Sequence, residues 1–333
     1  MTMNLRLAWR NLWRHSRRTW LTASAMIFSN VLLVFMISLQ FGSYQMMINN
    51  TLQAFSGHLQ IQAKGYQDSP RMRTSVPKAI ELAEEVRRAL PEANVTARVA
   101  GFALASSDLR SFGIQVYGVQ PAFEPLVSSI PGLVKTGRFL EDPEAAEIVL
   151  GTVMARNLKV TVGDEVTLLG SGRDGSFAAG VVTVAGIFES GVADMDRSIA
   201  EVPLTYFQDT FYMEEHGHAV AVSLDNIDQL PAAMQQVESL IADRDSLVAL
   251  DWEALNPGLK QAIQADMSSA WFMYGVLIIL VAFSVLNTPL MSVMERTREF
   301  GVITALGVKP GKLASLVMLE TALMALIGLL AGG

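Results

Sequence analysis

The sequence predicts a membrane protein in which α-helical transmembrane spans are combined with a large α+β region outside the membrane. Two stretches contain no Asp, Glu, Lys or Arg, from Thr19 to Ala63 and from Met267 to Met294. Each holds enough consecutive apolar residues to cross a bilayer as a helix. The region between them alternates strand-like and helix-like patterns separated by turn residues. With 51% hydrophobic and 17% charged residues, the chain is too apolar for one ordinary soluble domain.

The distribution of charge predicts the side of the membrane on which each segment lies. Residues 1–18 carry five arginines and no acid, and residues 293–312 carry the cations Arg296, Arg298, Lys309 and Lys312. Positive residues beside the spans favour the cytoplasmic side. Residues 42–269, with 16 basic and 29 acidic side chains, are then outside.

The N terminus is therefore predicted to be cytoplasmic, and a third apolar run at 313–331 predicts a third span. The one charged residue of this run is Glu320. Residues 1–18 place tryptophans and leucines on one helical stripe and arginines on the other, the pattern of a helix that lies in the membrane interface. Topogenic charge flanking the first span is the plainer interpretation, and the two are compatible.

Two strand–helix–strand units are predicted near the ends of the outside region. Their elements are a strand at 59–63, a helix at 77–90 and a strand at 95–106, then a strand at 218–224, a helix at 229–242 and a strand at 246–252. The first strand alternates as a half-buried strand does. Two such units can pair into one ferredoxin-like sheet. The strands between them, punctuated by Gly, Pro and Asp, predict a β-rich module inserted into that domain.

The segment "LGSGRDGSFAAGVVTV" predicts a β-hairpin whose tip, Ser171–Ser176, is rich in turn-forming residues. Loop tips on rigid sheets often carry recognition. Arg173 and Phe177 are the two side chains at this hairpin that offer an anchor. We hypothesise that a soluble partner binds at this hairpin.

The sequence offers little for catalysis. His216 and His218 follow two glutamates and could hold a metal, but ligand spacing on a helix or strand is missing, and a solvated turn is the favoured interpretation. The run "GVKPGK" has one residue too few between its glycines for a phosphate loop, and Leu313 stands where Ser or Thr would bind magnesium. We therefore predict a noncatalytic chain with no catalytic residue, no metal and no bound cofactor.

The charged segment between the second and third apolar runs, "LMSVMERTREFGVITALGVKPGKL", predicts a short helix that lies across the membrane surface. Glu295–Arg298 and Arg296–Glu299 are opposite charges three residues apart, which stabilise a helix. Gly307 suits the left-handed position after the last turn, and Pro310 follows. Phe300, Ile303 and Leu306 give the helix an apolar stripe. A capped connecting loop is the alternative.

This segment, extended as "NTPLMSVMERTREFGVITALGVKPGKL", resembles the signature between the second and third spans of FtsX-like permeases of the MacB and lipoprotein-releasing type, in the ABC superfamily. The opening "LAWRNLWRHSRRTWLTASA" and the later segment "VLGTVMARNLKVTVGDEVTLLG" are similar to that family too, so the resemblance covers the whole chain. It implies a noncatalytic permease subunit of a bacterial inner membrane, with its large domain in the periplasm. ATP and magnesium would be held by a separate ATPase dimer, and a second permease, copy or paralogue, would complete the complex.

In the family the charged run forms a coupling helix that docks on the ATPase. The resemblance carries this docking role to Glu295, Arg296, Arg298, Glu299, Gly301, Leu306 and Gly307. In the second span, Asn287 and Thr288 are predicted to face the cavity or the second permease, and packing within one subunit is the equal alternative. Pro289 departs from the family pattern and is expected to kink the span beside them.

The resemblance also assigns domains. We expect an interfacial helix at 1–18, the first span and its extension at 19–48, a porter domain at 49–106 and 216–255, and an inserted sabre-like domain at 107–215. The second span, the coupling helix and the third span are expected at 256–292, 293–309 and 310–333. The family has four spans, so the sequence is expected to lack the last one.

The resemblance leans toward the lipoprotein-releasing branch, because "SGHLQIQAKGY" is similar to it. That branch extracts lipoprotein or lipid from the inner membrane for transfer towards the outer membrane. In one of its permeases a hairpin at the place of Gly170–Phe177 recruits a periplasmic chaperone. The hairpin of this chain is expected to bind such a partner weakly or to bind a different one. A MacB-like exporter of periplasmic substrates, with an adaptor, is the first alternative. An FtsX-like regulator of a periplasmic hydrolase, which transports nothing, is the second.

Overall fold

The computed structural model describes residues 16–332, and within helices it leaves aside the side chains of 16–19, 21–22, 49–50, 53–54, 284–285, 288–289, 292, 324–325 and 327–332. Apart from its last three residues, the predicted interfacial helix at 1–18 lies outside the described residues. The chain divides into two compact units. The first unit gathers the described residues up to Met46 and those from Gln261 onward, and the second unit is Met47–Lys260.

Eleven α-helices and ten β-strands are assigned among the described residues. The helices are α1 (Ser16–Thr51), α2 (Ala79–Ala89), α3 (Glu124–Val127), α4 (Thr152–Leu158), α5 (Ala193–Ser198), α6 (Leu204–Thr210), α7 (Leu230–Leu240), α8 (Trp252–Leu255), α9 (Pro257–Glu295), α10 (Thr297–Ala305) and α11 (Pro310–Gly332). The strands are β1 (Leu59–Ala63), β2 (Asn94–Ser106), β3 (Ser111–Val119), β4 (Val134–Gly137), β5 (Glu147–Gly151), β6 (Glu165–Ser171), β7 (Phe177–Phe188), β8 (Ile199–Pro203), β9 (Ala219–Ser223) and β10 (Leu247–Asp251).

The first unit is built from the long apolar helices. Among the described residues, two stretches are long and apolar enough to cross a membrane, Ala23–Ile48 in α1 and Pro257–Phe283 in α9. Their mean hydropathies are 1.9 and 1.7. Helix α11 covers the third apolar run. Its role as a third span stays a prediction.

A polar cluster joins α1 to α9 inside the first unit. The Asp266 carboxylate accepts hydrogen bonds from the Tyr44 hydroxyl at 2.5 Å and from the Gln40 amide at 2.7 Å. The Tyr274 hydroxyl lies 3.4 Å from the Gln40 carbonyl oxygen. Hydrogen bonds to an ionised acceptor are stronger than neutral ones, so this cluster ties the two helices together at one level.

The second unit is organised around one mixed sheet. Its strand order is β10-β1-β9-β2-β3-β8-β5-β7-β4, and β6 pairs with both β2 and β7. The strands of the two predicted strand–helix–strand units, β1 and β2 with β9 and β10, lie side by side at one end of this order. Their helices α2 and α7 contact each other. The strands from 107–215 extend the same sheet, through the pairing of β2 with β3 and β6.

Strand β1 corrects one prediction. Its alternating sequence predicted a half-buried strand, but all five residues are buried. Hydrogen bonds satisfy both side-chain amides, because Gln62 donates to the Gln60 side chain at 2.8 Å and Gln60 donates to the Ser56 carbonyl at 2.6 Å. The Gln62 side-chain oxygen has no hydrogen-bond partner among the described residues. A buried polar group without such partners is costly. Alternation therefore identified a strand here without identifying an exposed face.

A buried ion pair lies at the turn that connects α1 to strand β1. Between α1 and β1 the chain forms a π-helical turn, Leu52–Ser56. Arg98 donates to the Phe55 carbonyl of this turn and lies over the Phe55 ring, 4.4 Å from its centre. The same guanidinium forms a two-point contact with Glu124, with Nε 3.1 Å from Oε2. Both side chains are almost fully buried, at 4% and 0% exposed.

A second acid lies near this pair. Glu201 on β8 is fully buried, and its two carboxyl oxygens have no hydrogen-bond partner among the described residues. Burial and the neighbouring Glu124 raise the pKa of Glu201 well above its usual range, while Arg98 opposes them. The protonated, neutral acid is therefore favoured, and the buried cluster as a whole stays close to neutral.

His218 is also built into the core. The Ala100 N–H donates to Nδ1 at 2.9 Å, Nε2 lies 3.3 Å from the Met72 carbonyl, and the Tyr66 ring stacks on the imidazole at 4.8 Å. Burial lowers the pKa of His218 to about 4. The imidazole is therefore neutral at physiological pH and serves the fold as one acceptor and one donor.

We expect Glu124→Leu to lower the free energy of unfolding of the second unit by roughly 3–5 kcal/mol, because it leaves the Arg98 guanidinium buried without its partner. The double variant Arg98→Met/Glu124→Leu should recover more than half of that loss, since no charge is then buried. Denaturant unfolding of the detergent-solubilised chain, followed by circular dichroism, measures both. Arg138→Ala, which breaks the half-exposed pair with Glu147, is the control and should cost about 1 kcal/mol or less. Equal losses in the single and double variants would contradict the argument.

We expect the fold to lose stability as pH falls below about 6.5, the pKa of an unfolded histidine, toward the folded pKa of His218. The folded state resists protonation while the unfolded state accepts it, so the contribution of His218 is complete above that range and lost below it. The loss amounts to about 2 kcal/mol between pH 7 and pH 5. His218→Gln keeps an acceptor and a donor, so its thermal unfolding should depend less steeply on pH. Part of the slope should remain, because burial lowers the pKa of His58 too. An unchanged slope in His218→Gln would refute this account.

Candidate functional site

The candidate site is the segment that joins α9 to α11. Helix α9 runs to Glu295, three residues beyond the predicted end of the second span at 292. Arg296 then leaves the helical conformation, with φ −102° and ψ 14°, and α10 begins at Thr297. The Thr297 hydroxyl donates back to the carbonyls of Val293 and Met294, at 3.1 and 2.8 Å. The Thr297 hydroxyl thus bonds carbonyls that the C-terminal end of α9 would leave without a partner, and this marks the boundary between α9 and α10.

The other end of α10 is closed as the sequence predicted. Gly307 has φ 90°, the left-handed region that glycine enters without penalty. Its N–H bonds the Thr304 carbonyl at 3.0 Å, and the Val308 N–H bonds the Ile303 carbonyl at 3.4 Å. These two bonds form the Schellman arrangement. The prediction for Gly307 is confirmed, and α11 begins at Pro310.

Arg296 lies inside the first unit. Its Nε is 3.2 Å from Glu299, which confirms that predicted pair, and its Nη1 is 3.7 Å from Glu320 on α11. The guanidinium also lies 5.6 Å from the centre of the Phe300 ring. Only 13% of the Arg296 side chain is exposed. The Arg296 side chain therefore contacts residues of its own chain, whereas the resemblance implies that it docks on the ATPase.

The other docking positions are accessible. Glu295, Arg298, Glu299, Gly301, Leu306 and Gly307 are all exposed. Leu306 is 80% exposed, and no atom lies within 4 Å of a Cβ built on Gly301. The predicted apolar stripe divides, because Phe300 and Ile303 are partly buried while Leu306 is open. An exposed large apolar side chain beside a bare backbone position is a suitable surface for a partner.

Sequence reasoning missed Val302 on this surface. It is 62% exposed and lies one helical turn before Leu306. The spacing of four residues between the two side chains is the signal that could have identified it, since such residues share a helix face. Gly301, Val302 and Leu306 together form what we call the outer face of α10.

The polar cluster around Asp266 was also missed. The charge sits directly before the uncharged run from Met267, and an ionisable residue at the edge of a span is a candidate functional group. Asn287 is exposed in the structure, and the side chain of Thr288 lies outside the described residues. Their role at a cavity or at a second permease therefore stays a prediction.

The predicted hairpin forms between β6 and β7, which pair up to Ser171 and Phe177. Phe177 is 72% exposed. Arg173 turns toward the body of the second unit, where it lies 3.0 Å from His216 and 3.6 Å from Glu214. Of the two predicted anchors, Phe177 therefore has most of its side chain exposed, whereas Arg173 does not.

The tip of the hairpin is held by Arg73. This side chain donates to the backbone carbonyls of Arg173 and Asp174, at 3.1 and 2.8 Å. The two histidines that suggested a metal are separately engaged, His216 with Arg173 and His218 with the core. Among the described residues, no group of three or more His, Cys, Asp and Glu side chains is placed to hold a metal ion.

Comparison with known families accounts for most of the chain. A model described as the MacB-like periplasmic core domain matches residues 19–240. A model described as the FtsX-like permease C-terminal region matches residues 271–333, which include all of α10 and its caps.

Individual relatives are distant. The lipoprotein-releasing system transmembrane protein LolC of Neisseria meningitidis is 27% identical over 233 residues, 66% of this chain and 54% of that protein. The pyoverdine export ATP-binding/permease protein PvdT of Pseudomonas fluorescens is 25% identical over 98% of this chain and 50% of its own length. The chain thus spans about half the length of these relatives.

Among solved structures, the periplasmic region of MacB from Actinobacillus actinomycetemcomitans is similar over 65% of this chain and 96% of its own, with 15% identity and a TM-score of 0.45. The family assignment rests on the sequence models, which cover both units. By those matches, the chain belongs to the family of FtsX-like permeases with a MacB-like periplasmic core domain.

Proposed function

We propose that the chain is the noncatalytic permease subunit of a type VII ABC transporter in a bacterial inner membrane. ATP and magnesium are bound by a separate ATPase dimer, and this chain converts ATPase closure into movement of its periplasmic domain. The observation that carries the proposal is α10, a capped nine-residue helix between two apolar helices with an uncovered outer face. A chain that needed only a turn there would not require a nine-residue helix with a glycine cap at its C-terminal end.

The proposed route for force follows helices that are connected by short breaks in the chain. Helix α10 is separated from the 39-residue α9 by the single residue Arg296. Helix α9 is tied to α1 through Asp266 and Tyr44. Helix α1 is 36 residues long and leads through the π-helical turn into the sheet. A push on α10 is therefore passed along hydrogen-bonded helices, which are stiff along their axes.

We assign the two parts of the second unit as the resemblance implies. The ferredoxin-like porter domain is formed by 49–106 and 216–255, and the sabre-like domain is the insertion at 107–215. The strand order β10-β1-β9-β2, with α2 and α7 in contact, supports the porter assignment. The N terminus and α10 are cytoplasmic in this arrangement, in agreement with the distribution of charge.

The substrate we propose is lipoprotein or lipid, extracted from the inner membrane for transfer towards the outer membrane. The support is that several similar proteins are named as LolC or LolE of lipoprotein-releasing systems. A second permease, copy or paralogue, completes the cavity, which Asn287 and Thr288 would face. A periplasmic chaperone or adaptor is the proposed partner of the hairpin, with Phe177 as its contact.

An exporter of periplasmic substrates is the second candidate. It is favoured by the similarity to the pyoverdine exporter, which extends over 98% of this chain. A non-transporting regulator of a periplasmic hydrolase is the remaining possibility. Neighbouring genes distinguish the three functions. A gene for a lipoprotein chaperone would favour lipoprotein release, and genes for an adaptor and an outer-membrane channel would favour export. A gene for a secreted hydrolase would favour the regulator.

We expect Gly301→Leu to block coupling without unfolding the chain. A Cβ at position 301 has no atom within 4 Å, so the added side chain extends from an open surface and we expect its steric effect at the docked ATPase. Loss of about 1.4 kcal/mol of docking energy weakens binding tenfold, so we expect at least a tenfold loss of ATPase retention and of substrate release. Co-purification of the ATPase, ATP hydrolysis and release from proteoliposomes measure these effects.

Gly301→Ala is the matched control. Alanine replaces glycine inside an exposed helix, which should stabilise α10 by roughly 0.5–1 kcal/mol and leave docking largely intact. The thermal stability of both variants should equal or exceed that of the parent. Normal ATPase retention and normal release in Gly301→Leu would show that α10 is only a connection, and the proposed function would then lose its support.

A further inference from the structure

Glu320 is an acid in an apolar helix, and the proposed function gives it no role. It is the one charged residue between Leu313 and Ala331. As the eleventh residue of α11 it lies about 15 Å along that helix from its start. Only 8% of the residue is exposed. A charge at such a position is expensive unless it is paired, so its retention calls for a partner.

One partner is Arg296, the residue between α9 and α10. Its Nη1 lies 3.7 Å from the Glu320 carboxylate, and its Nε lies 3.2 Å from Glu299 on α10. One guanidinium thus stands at the end of α9 and contacts an acid on each of the next two helices. The side chains of Arg296 and Glu320 are only 13% and 11% exposed.

We propose that Arg296 and Glu320 form a positioning pair that fixes α10 against α11, so that the coupling segment and the following helix move as one body. The proposal rests on the proposed function for its role in transport, but the geometric claim stands on the two contacts themselves. It reassigns Arg296, because the side chain acts within the permease and leaves docking to the outer face of α10, Gly301, Val302 and Leu306.

The chemistry favours arginine at this position. A guanidinium carries five N–H donors in a rigid fork, so it can address two carboxylates on different helices at once. A lysine ammonium has three donors at one point on a flexible stem. A buried ion pair contributes little more stability than well-packed apolar side chains, and where it is kept it can specify one geometry. The prediction is that the pair controls the angle of α10 more than the stability of the fold.

The first test measures geometry and does not depend on transport. The chain contains no cysteine, so Thr304→Cys and Met318→Cys place two spin labels specifically, at exposed sites on α10 and α11. In the solubilised full chain the parent should give a narrow distance distribution. Arg296→Glu and Glu320→Arg should each broaden it at least twofold. The charge exchange Arg296→Glu/Glu320→Arg is combined with Glu299→Gln, because an acid at position 296 would otherwise face the acid at 299, and it should narrow the distribution again.

A second pair of variants separates positioning from packing. Arg296→Met/Glu320→Leu fills the same space without directed bonds and avoids the buried single charge that could prevent folding. The proposal expects this chain to fold and to show a broad distribution. A narrow distribution in the apolar double variant, or no recovery in the charge exchange, would overturn the proposal.

Transport then shows whether the pair matters for coupling. In the complex with its ATPase, each single reversal should lower substrate release per ATP about tenfold, with Arg296→Lys intermediate and the charge exchange within about threefold of the parent. If Gly301→Leu uncouples but the charge exchange restores nothing, the proposed function stands and this inference falls. If the exchange restores geometry while Gly301→Leu transports normally, the pair is real and the coupling role of α10 is wrong.

Discussion

The constraint on which the structure depends is that a charge removed from water must find its partner inside the molecule. In the first unit this requirement is met where Arg296 brings α9, α10 and α11 together through Glu299 and Glu320. The exposed Asp266 joins α9 to α1 through Tyr44. Apolar helices pack against one another with little preference for one register, because lipid tails are as apolar as the side chains. The polar contacts therefore decide which parts of the helices meet.

The same constraint operates in the second unit, at the turn where α1 ends. Arg98 binds the Phe55 carbonyl and is itself held by Glu124, so a buried charge marks the change from helix to sheet. Glu201 lies nearby, and burial raises the pKa of its carboxyl, which keeps the cluster close to neutral. Charge with little exposure thus lies at the junction of α9 with α10 and at the junction of α1 with β1. The rest of the sheet packs mainly through apolar side chains, with a few hydrogen-bonded polar groups such as His218.

Local sequence patterns predicted the elements and the cap at Gly307, because both depend on residues a few positions apart. They failed where a distant partner decides the outcome. Alternation in β1 suggested an open face, but Gln60 and Gln62 bond along the strand and are buried. Partners distant in sequence also engage two side chains whose predicted roles stay predictions. Arg296 contacts Glu320 on α11, 24 residues farther along the chain. Arg173 at the hairpin tip lies 3.6 Å from Glu214. No spacing rule reports such pairs.

The residues of the charged signature fall into two groups according to how far their side chains are exposed to solvent. Ion pairs on an open helix contribute only a few tenths of a kcal/mol each, and salt screens them, so they are weak grounds for tight docking. Apolar side chains and bare backbone at the centre of an interface carry more energy, because they exclude water where they bind. The outer face of α10, formed by Gly301, Val302 and Leu306, is open, as are Arg298 and Glu299, whereas Arg296 contacts acids of its own chain. Exposure therefore divides the signature into an apolar outer face, which we propose contacts the partner, and an enclosed charge, which we propose holds the helix at a fixed angle.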